Sequence, residues 1–415
     1  MKSNNSFFKQ TLLSVALSTT VVLASSATYA GVNANSISEA VTQGDTSLIL
    51  RYRYEFVDQD NVLKDANAST LKTRFNFKTK SWNSFSVMLE ADHVSEILSG
   101  NYNDATGTGN GNYSVVADPT GTDLNQAWVQ YKTDDNLFRY GRQRIVLDNH
   151  RFIGSVGWRQ NEQTYDAATY QNSSIADTTI SYSYIWNVNR IFGSNSAKGD
   201  IESDSHVFHL AYNGLSFGKL STYGYFLDAQ DGLANNPSFN TATVGIRLTG
   251  SELGSDKNWG YQLEYADQSD YDDNSTNFSA DYFLAKGEFT ANEMTFGLGY
   301  EVLSADSSAG MAFSTPLATL HAQNGWADQF LGTPADGLEE LTVSFSTKLS
   351  DYKLTVVAHD YSAESSGNDY GSELDISLAR KYSDNYSLLL KYAAYSAGDI
   401  KVDTNKLWIM FTAKY

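Results

Sequence analysis

Along most of the chain, apolar and polar positions alternate with a period of two. In SLILRYRYEF, residues 47–56, Leu48, Leu50, Tyr52, Tyr54 and Phe56 fall on one face of an extended chain, and Ile49, Arg51, Arg53 and Glu55 on the other. TLKTRFNFK follows, with Leu71, Phe75 and Phe77 against Lys72, Arg74, Asn76 and Lys78. FSVMLEAD sets Phe85, Val87, Leu89 and Ala91 against Ser86, Glu90 and Asp92. The same period returns in TISYSYIWN, TVGIRL, WGYQLEY, TFGLGYEV and YSLLLKYAAY, and it reaches the last residue in KLWIMFTAKY. It predicts about 18 strands (16–18), the first over 46–57 and the last over 405–415.

The segments between the strands alternate as well. KSWNS at 80–84, KTDDN at 132–136, TANE at 290–293, LSDY at 349–352 and YSDN at 382–385 are short, whereas 94–121, 147–161, 189–204, 268–276, 304–338 and 397–404 are long. Short turns on one side and long loops on the other describe an all-β, antiparallel, up-and-down transmembrane β-barrel, with turns facing the periplasm and loops facing outside. The physical requirement is backbone pairing. In hydrocarbon an unpaired amide costs several kcal/mol, so the sheet must close and the last strand must pair with the first. A secreted soluble sandwich or a β-solenoid alternates too, but no repeat of fixed length is present, and tyrosine and tryptophan crowd the strand ends as membrane girdles do.

Composition sharpens this picture. The 415 residues include 27 Tyr, 21 Phe, 30 Gly, four Pro and no Cys. The absence of cysteine rules out a disulfide framework and thiolate chemistry. Lys2 and Lys9 precede an apolar stretch, Thr11 to Leu23, that ends in small residues at Thr28-Tyr29-Ala30. This pattern predicts a cleaved signal peptide over 1–30 and a single outer-membrane domain over 31–415. Cleavage would move the net charge from −19 to −21. No apolar run after the signal is long enough for a transmembrane helix.

An 18-stranded barrel is wide enough for an aqueous bore, so the inward face decides function. Charges on the lipid side would cost roughly 2–4 kcal/mol at mid-membrane, which places Arg51, Arg53, Lys72, Arg74, Glu90, Asp92 and Arg247 inside. A cationic wall concentrates anions, which points to a pore that prefers anionic solutes; the competing reading is that these residues pair with acids merely to keep the bore hydrated.

YGRQRIVLDNHRFIGSVGWRQNEQTYDAA, residues 140–168, resembles the central motif of the alginate-export family of outer-membrane proteins. The matching pieces are Gly141-Arg142-Gln143, Asp148, Arg151-Phe152-Ile153-Gly154, Trp158-Arg159-Gln160-Asn161 and Tyr165-Asp166. A second stretch, NGWADQFLGTPADGL at 324–338, is similar to a piece of that family's bacterial relatives. The resemblance implies an 18-stranded barrel with a cationic path for an acidic uronate polymer, and it would place Arg142, Arg144, Arg151 and Arg159 beside that path. On a regular strand Arg142 and Arg144 share a face with Phe138 and Tyr140, a conflict that a bulge near Gly141 would remove. The C-terminal aromatic likewise resembles the signal read by the barrel assembly machinery.

Within 304–338, Thr315-Pro316 and the later Gly325 fit the ends of a short helix, in a loop that either folds into the pore or lies on the surface. None of the six histidines sits in a hydrolase motif, and Asp270, Asp272 and Asp273 lack EF-hand spacing, so neither catalysis, a metal site nor a cofactor is expected. The expected activity is passive passage of hydrophilic, anionic, uronate- or oligosaccharide-like solutes. The expected surroundings are outer-membrane lipid and lipopolysaccharide, with no nucleic acid. Two alternatives stay open: a general diffusion porin, and a surface protein whose loops bind a ligand or carry hydrolytic activity.

Overall fold

The computed structural model describes residues 33–415 apart from 99, 108–109, 231–235 and 254–256. The expected signal segment lies outside the described residues. Eighteen strands form one antiparallel sheet, from Asp45–Gln59 to Thr404–Lys414, each paired with its neighbours in sequence. The ring closes where expected. Ile49 to Gln59 pair with Lys414 to Thr404, and Leu48 and Tyr415 exchange two backbone hydrogen bonds of 2.9 Å. The C-terminus is therefore ordered because it supplies the closing seam.

The two faces carry opposite chemistry. Outward positions are large and apolar, with Phe75, Val244, Trp259, Phe296 and Leu298 all more than half exposed in the absence of lipid. Inward positions are charged and buried: Arg53, Glu55, Lys72, Asp92, Glu264 and Asp375 are nearly inaccessible. This inverts a soluble fold and is what a hydrocarbon solvent dictates. Tyr386 and Tyr415 meet through their hydroxyls at 2.7 Å on the short-turn rim, an aromatic girdle position.

The short turns are tight. Asn83-Ser84 and Asn292-Glu293 both take positive φ, as two-residue hairpin turns require. A six-residue helix, Ile37–Thr42, is capped by the Ser36 hydroxyl and hydrogen-bonds to the first of these turns. The opposite rim is less uniform than the sequence pattern suggests. Three of its connections, 60–65, 363–368 and 398–403, are only six residues long, the last of them expected to be long, while 97–120, 144–163 and 304–337 are extensive.

Two of these long segments turn inward and pack inside the barrel. Ile153, Phe152 and Trp158 from the first, and Phe313, Leu317, Trp326 and Phe330 from the second, are buried in one continuous apolar cluster. That cluster also takes in Tyr165, Ile185, Tyr225, Tyr282, Tyr361, Tyr395 and Trp408, wall residues from around the ring. The segment 304–337 thus folds into the barrel rather than lying on the surface. The helix expected from Thr315 to Gly325 does not form; only one 3₁₀ turn, Leu320–Ala322, is present. Contacts of this segment with the other inward segment replace helical hydrogen bonding, for example Gly154 N–H to the Leu317 carbonyl at 2.9 Å.

The lipid-facing assignment predicts an asymmetry. Leu298→Arg, at the middle of Met294–Leu303, is expected to cost about 2–4 kcal/mol in urea unfolding from vesicles, whereas Ser346→Arg, inward on the strand Leu338–Leu349, is expected to cost far less.

Candidate functional site

The bore has two unlike halves. Toward the long-loop side, the wall cations predicted from sequence meet carboxylates from the wall and from the inward segments. Arg53 pairs with Glu55 at 2.7 Å and Asp118 at 3.2 Å. Arg74 is forked on Asp92 and also reaches Glu90 and Glu162. Lys72 and Arg144 share Glu162, and Arg144 reaches Glu90 as well. Arg159 bridges Glu55 and Asp328, and Lys406 joins Asp328 at 2.8 Å. Six cations are thereby matched by six carboxylates. Arg51 forms no ion pair with a carboxylate among the described residues; its guanidinium is spent on Gln160 and the carbonyls of Gly157 and Arg159. In both the first and second strands, alternate residues face inward, which is why these cations stand in register.

The remaining predicted residues fall in three places. Arg247 is buried and bound by Glu264 and Gln262. Arg151 is buried at 3.2 Å from Glu301 and lies over the Tyr282 ring. Arg142 is forked on Asp166 of the neighbouring strand and does not join the inner network. Arg144, two residues on, does join it. Pairing between 127–132 and 137–142 is regular, so the expected bulge at Gly141 is absent. Gly141 has φ +116°, and a Cβ there would meet the Ala127 carbonyl, but alternation continues past it: Gln143 is buried inward like Arg139, Arg142 stays on the outer face with Tyr140, and Arg144 reaches the network from beyond the strand's end. Register shifts lie on the flanking pairs of strands, at Glu90/Ala91 and Asp166/Ala167.

Sequence reasoning missed the residue that ties both inward segments to the wall. Lys391 is buried with its ammonium 3.7 Å from the Trp326 ring centre, 4.4 Å from Trp158 and 5.5 Å from Trp408. It also meets His321 Nε2 at 2.7 Å, while His321 Nδ1 meets Asp328 at 2.7 Å. His321 stacks on Trp158 at 4.3 Å. Burial, with Lys391 beside it, pushes His321 down to about 3, so the ring is neutral, accepts from Lys391 and donates to Asp328. Three indoles and an imidazole around one ammonium make a desolvated cation–π site. Its sequence signal is a lysine inside the otherwise apolar run Leu388-Leu389-Leu390-Lys391.

Below this plug the wall continues to hold the second segment. Asn324 donates to Glu301 and Glu340 at 2.6 Å each, and the backbone N–H groups of Trp326 and Ala327 donate to Asp375 and Glu373. His359 links Glu340 and Asp375. Asp148 on the first segment is held by His209, Lys219 and Ser221 of the wall. His150, its neighbour, faces Thr319 rather than a reactive group. On the outer rim Asp272 and Asp273 gather with Asp228, their carboxylate oxygens within 4.8 Å of one another, while Asp270 accepts a backbone N–H from Phe278.

Toward the short-turn side the bore opens into a vestibule of about 800 Å³ whose inner end is the Ala322–Trp326 stretch. Polar and charged side chains line it among apolar surface, including Gln262, Lys286, Glu288, Thr342, Lys348 and Lys353. Lys286, Lys348 and Lys353 have no carboxylate within ion-pair reach among the described residues. A model of the alginate export family matches residues 45–313. Among solved structures, the fold is similar to OccK9 (OpdG) of Pseudomonas aeruginosa, at 14% identity and TM-score 0.72 over 91% of this chain and 100% of that one. It is also similar to P. aeruginosa OpdK solved with vanillate, at 13% and 0.71 over 90% and 99%, and to Acinetobacter baumannii OccAB4, at 15% and 0.69 over 89% and 98%. No curated protein matches by sequence.

Two outcomes are expected of this plug. Lys391→Met removes the caged cation, so tryptophan emission should shift to the red and protease should cut within 304–337 while the barrel keeps its folded gel mobility. For Asp328 and Glu162, burial opposes ionisation, but Lys406 and His321 outweigh it for Asp328, and Arg144 and Arg74 for Glu162, so both sit well below their ordinary values of 3.8 and 4.5. Their docking contribution is therefore complete above the ordinary range and is lost only as pH falls through and below it; conductance should hold steady from about pH 7 to about pH 5 and change below about pH 4.

Proposed function

This chain belongs to the alginate export family, and from that premise we infer that it is an outer-membrane, porin-like channel whose vestibule selects small anionic solutes. The observation that carries the selectivity is the division of charge along the bore. Near the plug the cations are matched by carboxylates, and a matched pair exerts little field on a passing solute. In the vestibule, Lys286, Lys348 and Lys353 are uncommitted. Arg139, bound to Gln130, and Lys78 also face inward against Trp128, and neither forms an ion pair among the described residues. An anion entering this half finds donors that need not be taken from another partner.

The carboxylates of the same wall, Glu288, Glu301 and Glu340, oppose solutes of high negative charge, so the reading favours a monoanion over a polyuronate. The neighbour OpdK was solved with vanillate, a small carboxylate, which is consistent with that size and charge. Passage is passive, and the chain supplies binding and field rather than covalent chemistry. The sequence-based assignment of selectivity to Arg51, Arg53 and Arg74 is thereby moved to the lower lysines, with the arginines holding the plug.

Reversal potentials in a salt gradient test this. Lys286→Ala/Lys353→Ala should lower anion preference and leave the folded barrel intact. Arg74→Ala should instead destabilise by about 3–5 kcal/mol, because it strands buried carboxylates, and should disturb conductance rather than selectivity. An unchanged reversal potential in the double lysine variant would reject the vestibule as the selective element.

A further inference from the structure

A second recess lies on the long-loop rim, away from the vestibule. It occupies about 190 Å³ between the strands Phe85–Glu96, Gly121–Lys132, Asn136–Gln143, Thr164–Asn172, Thr178–Asn189 and Asp200–Leu215. All the strand residues lining it sit at the outer ends of those strands, so it faces the exterior. Its lining includes Asn125, Asn161, Asn187, Asn189, Arg142 and Arg190.

Arg190 sets the chemistry. Its guanidinium stacks on Phe192 at 5.1 Å and has no carboxylate within ion-pair reach among the described residues. Burial alone shifts it, downward, with no acid supporting its charge. Arg142 in the same recess is different: Asp166 takes two of its nitrogens and the Leu124 carbonyl a third. Arg142 is a wall, whereas Arg190 is a donor awaiting an acceptor. The Asn161 amide donates to Pro119 and the Asn187 amide to Asn189, which leaves both side-chain carbonyls open to hydroxyl donors. Asp123 spends one carboxylate oxygen on Ser194, and its second oxygen has no hydrogen-bond partner among the described residues.

We propose that this recess captures one small hydroxylated monocarboxylate of single-sugar size at the cell exterior. Arg190 takes the carboxylate, and Asn161, Asn187 and Asp123 accept from hydroxyls. The recess is smaller than the pockets that hold drug-sized ligands, which suits one ring and not a chain of them. Four carboxylates, Asp92, Asp123, Glu162 and Asp200, also border it. Asp92 and Glu162 are paired inward, but the set still repels a second negative charge, so a sugar phosphate is disfavoured. The inference concerns capture, not conduction, and stands apart from the channel reading.

Calorimetric titration of the purified, detergent-folded protein tests it, with galacturonate, galactose and galactose phosphate as probes. Galacturonate should bind more tightly than the other two. Arg190→Gln should weaken it about tenfold, the loss of one charge-assisted hydrogen-bond pair. Asp123→Asn should instead improve relative binding of the phosphate, a gain that misfolding cannot produce. Equal affinity in wild type and Arg190→Gln, galactose binding as tightly as galacturonate, or no binding at all would each overturn the proposal. So would galacturonate binding that survives Arg190→Gln and vanishes in Lys286→Ala, which would place the solute in the vestibule. Because titration needs no membrane, its failure leaves the ion-selectivity measurements on the vestibule untouched.

Discussion

Backbone hydrogen bonding in hydrocarbon governs this structure. Every strand amide facing lipid must find a partner inside the protein, so the sheet has no permissible edge and the seam between Ile49–Gln59 and Thr404–Lys414 is obligatory. Closure then forces each strand to have one face toward lipid and one toward the bore. That single division explains why Phe75 and Leu298 look outward and why Arg74 and Asp92 are buried without contradiction. The charges are not sunk in a dry core; they stand in a confined polar space where acids and bases can be matched.

The inward segments exploit that space. Glu162 comes from one segment and Asp328 from the other, and each is gripped by cations on the wall. Wall carboxylates return the favour through the amides of Trp326 and Ala327. Apolar packing around Phe152, Phe313 and Trp326 joins the two segments to each other and to the wall. Polar pairs set the register of the plug, and aromatic packing anchors it.

The fold was legible in the sequence because a period of two is a direct print of the sheet's two solvents. All 18 predicted strands are present, and even the closing pair followed from the final ten residues. The plug was legible only as a long segment. Residues 313–330 carry no periodicity, and their conformation is set by partners such as Glu301, Glu340 and Asp375 that lie on other strands. For the same reason the cations were correctly placed inward but their neutralisation was not foreseen: which acid stands opposite Arg74 or Arg159 depends on loops that fold back across more than 80 residues. Arg142 and Arg144 diverge because the strand ends at Gln143, between them, a boundary that the side-chain pattern does not mark. Lys391 was hidden among leucines because its partners come from three separate parts of the chain.

The matching of charge between wall and plug has a mutational corollary. A residue such as Glu162 answers simultaneously to Lys72, Arg74 and Arg144, so a single replacement strands several neighbours at once. The outer rim around Arg190 bears no such debts. A replacement at the rim or at the lower lysines would therefore disturb fewer neighbours than one in the ionic interior.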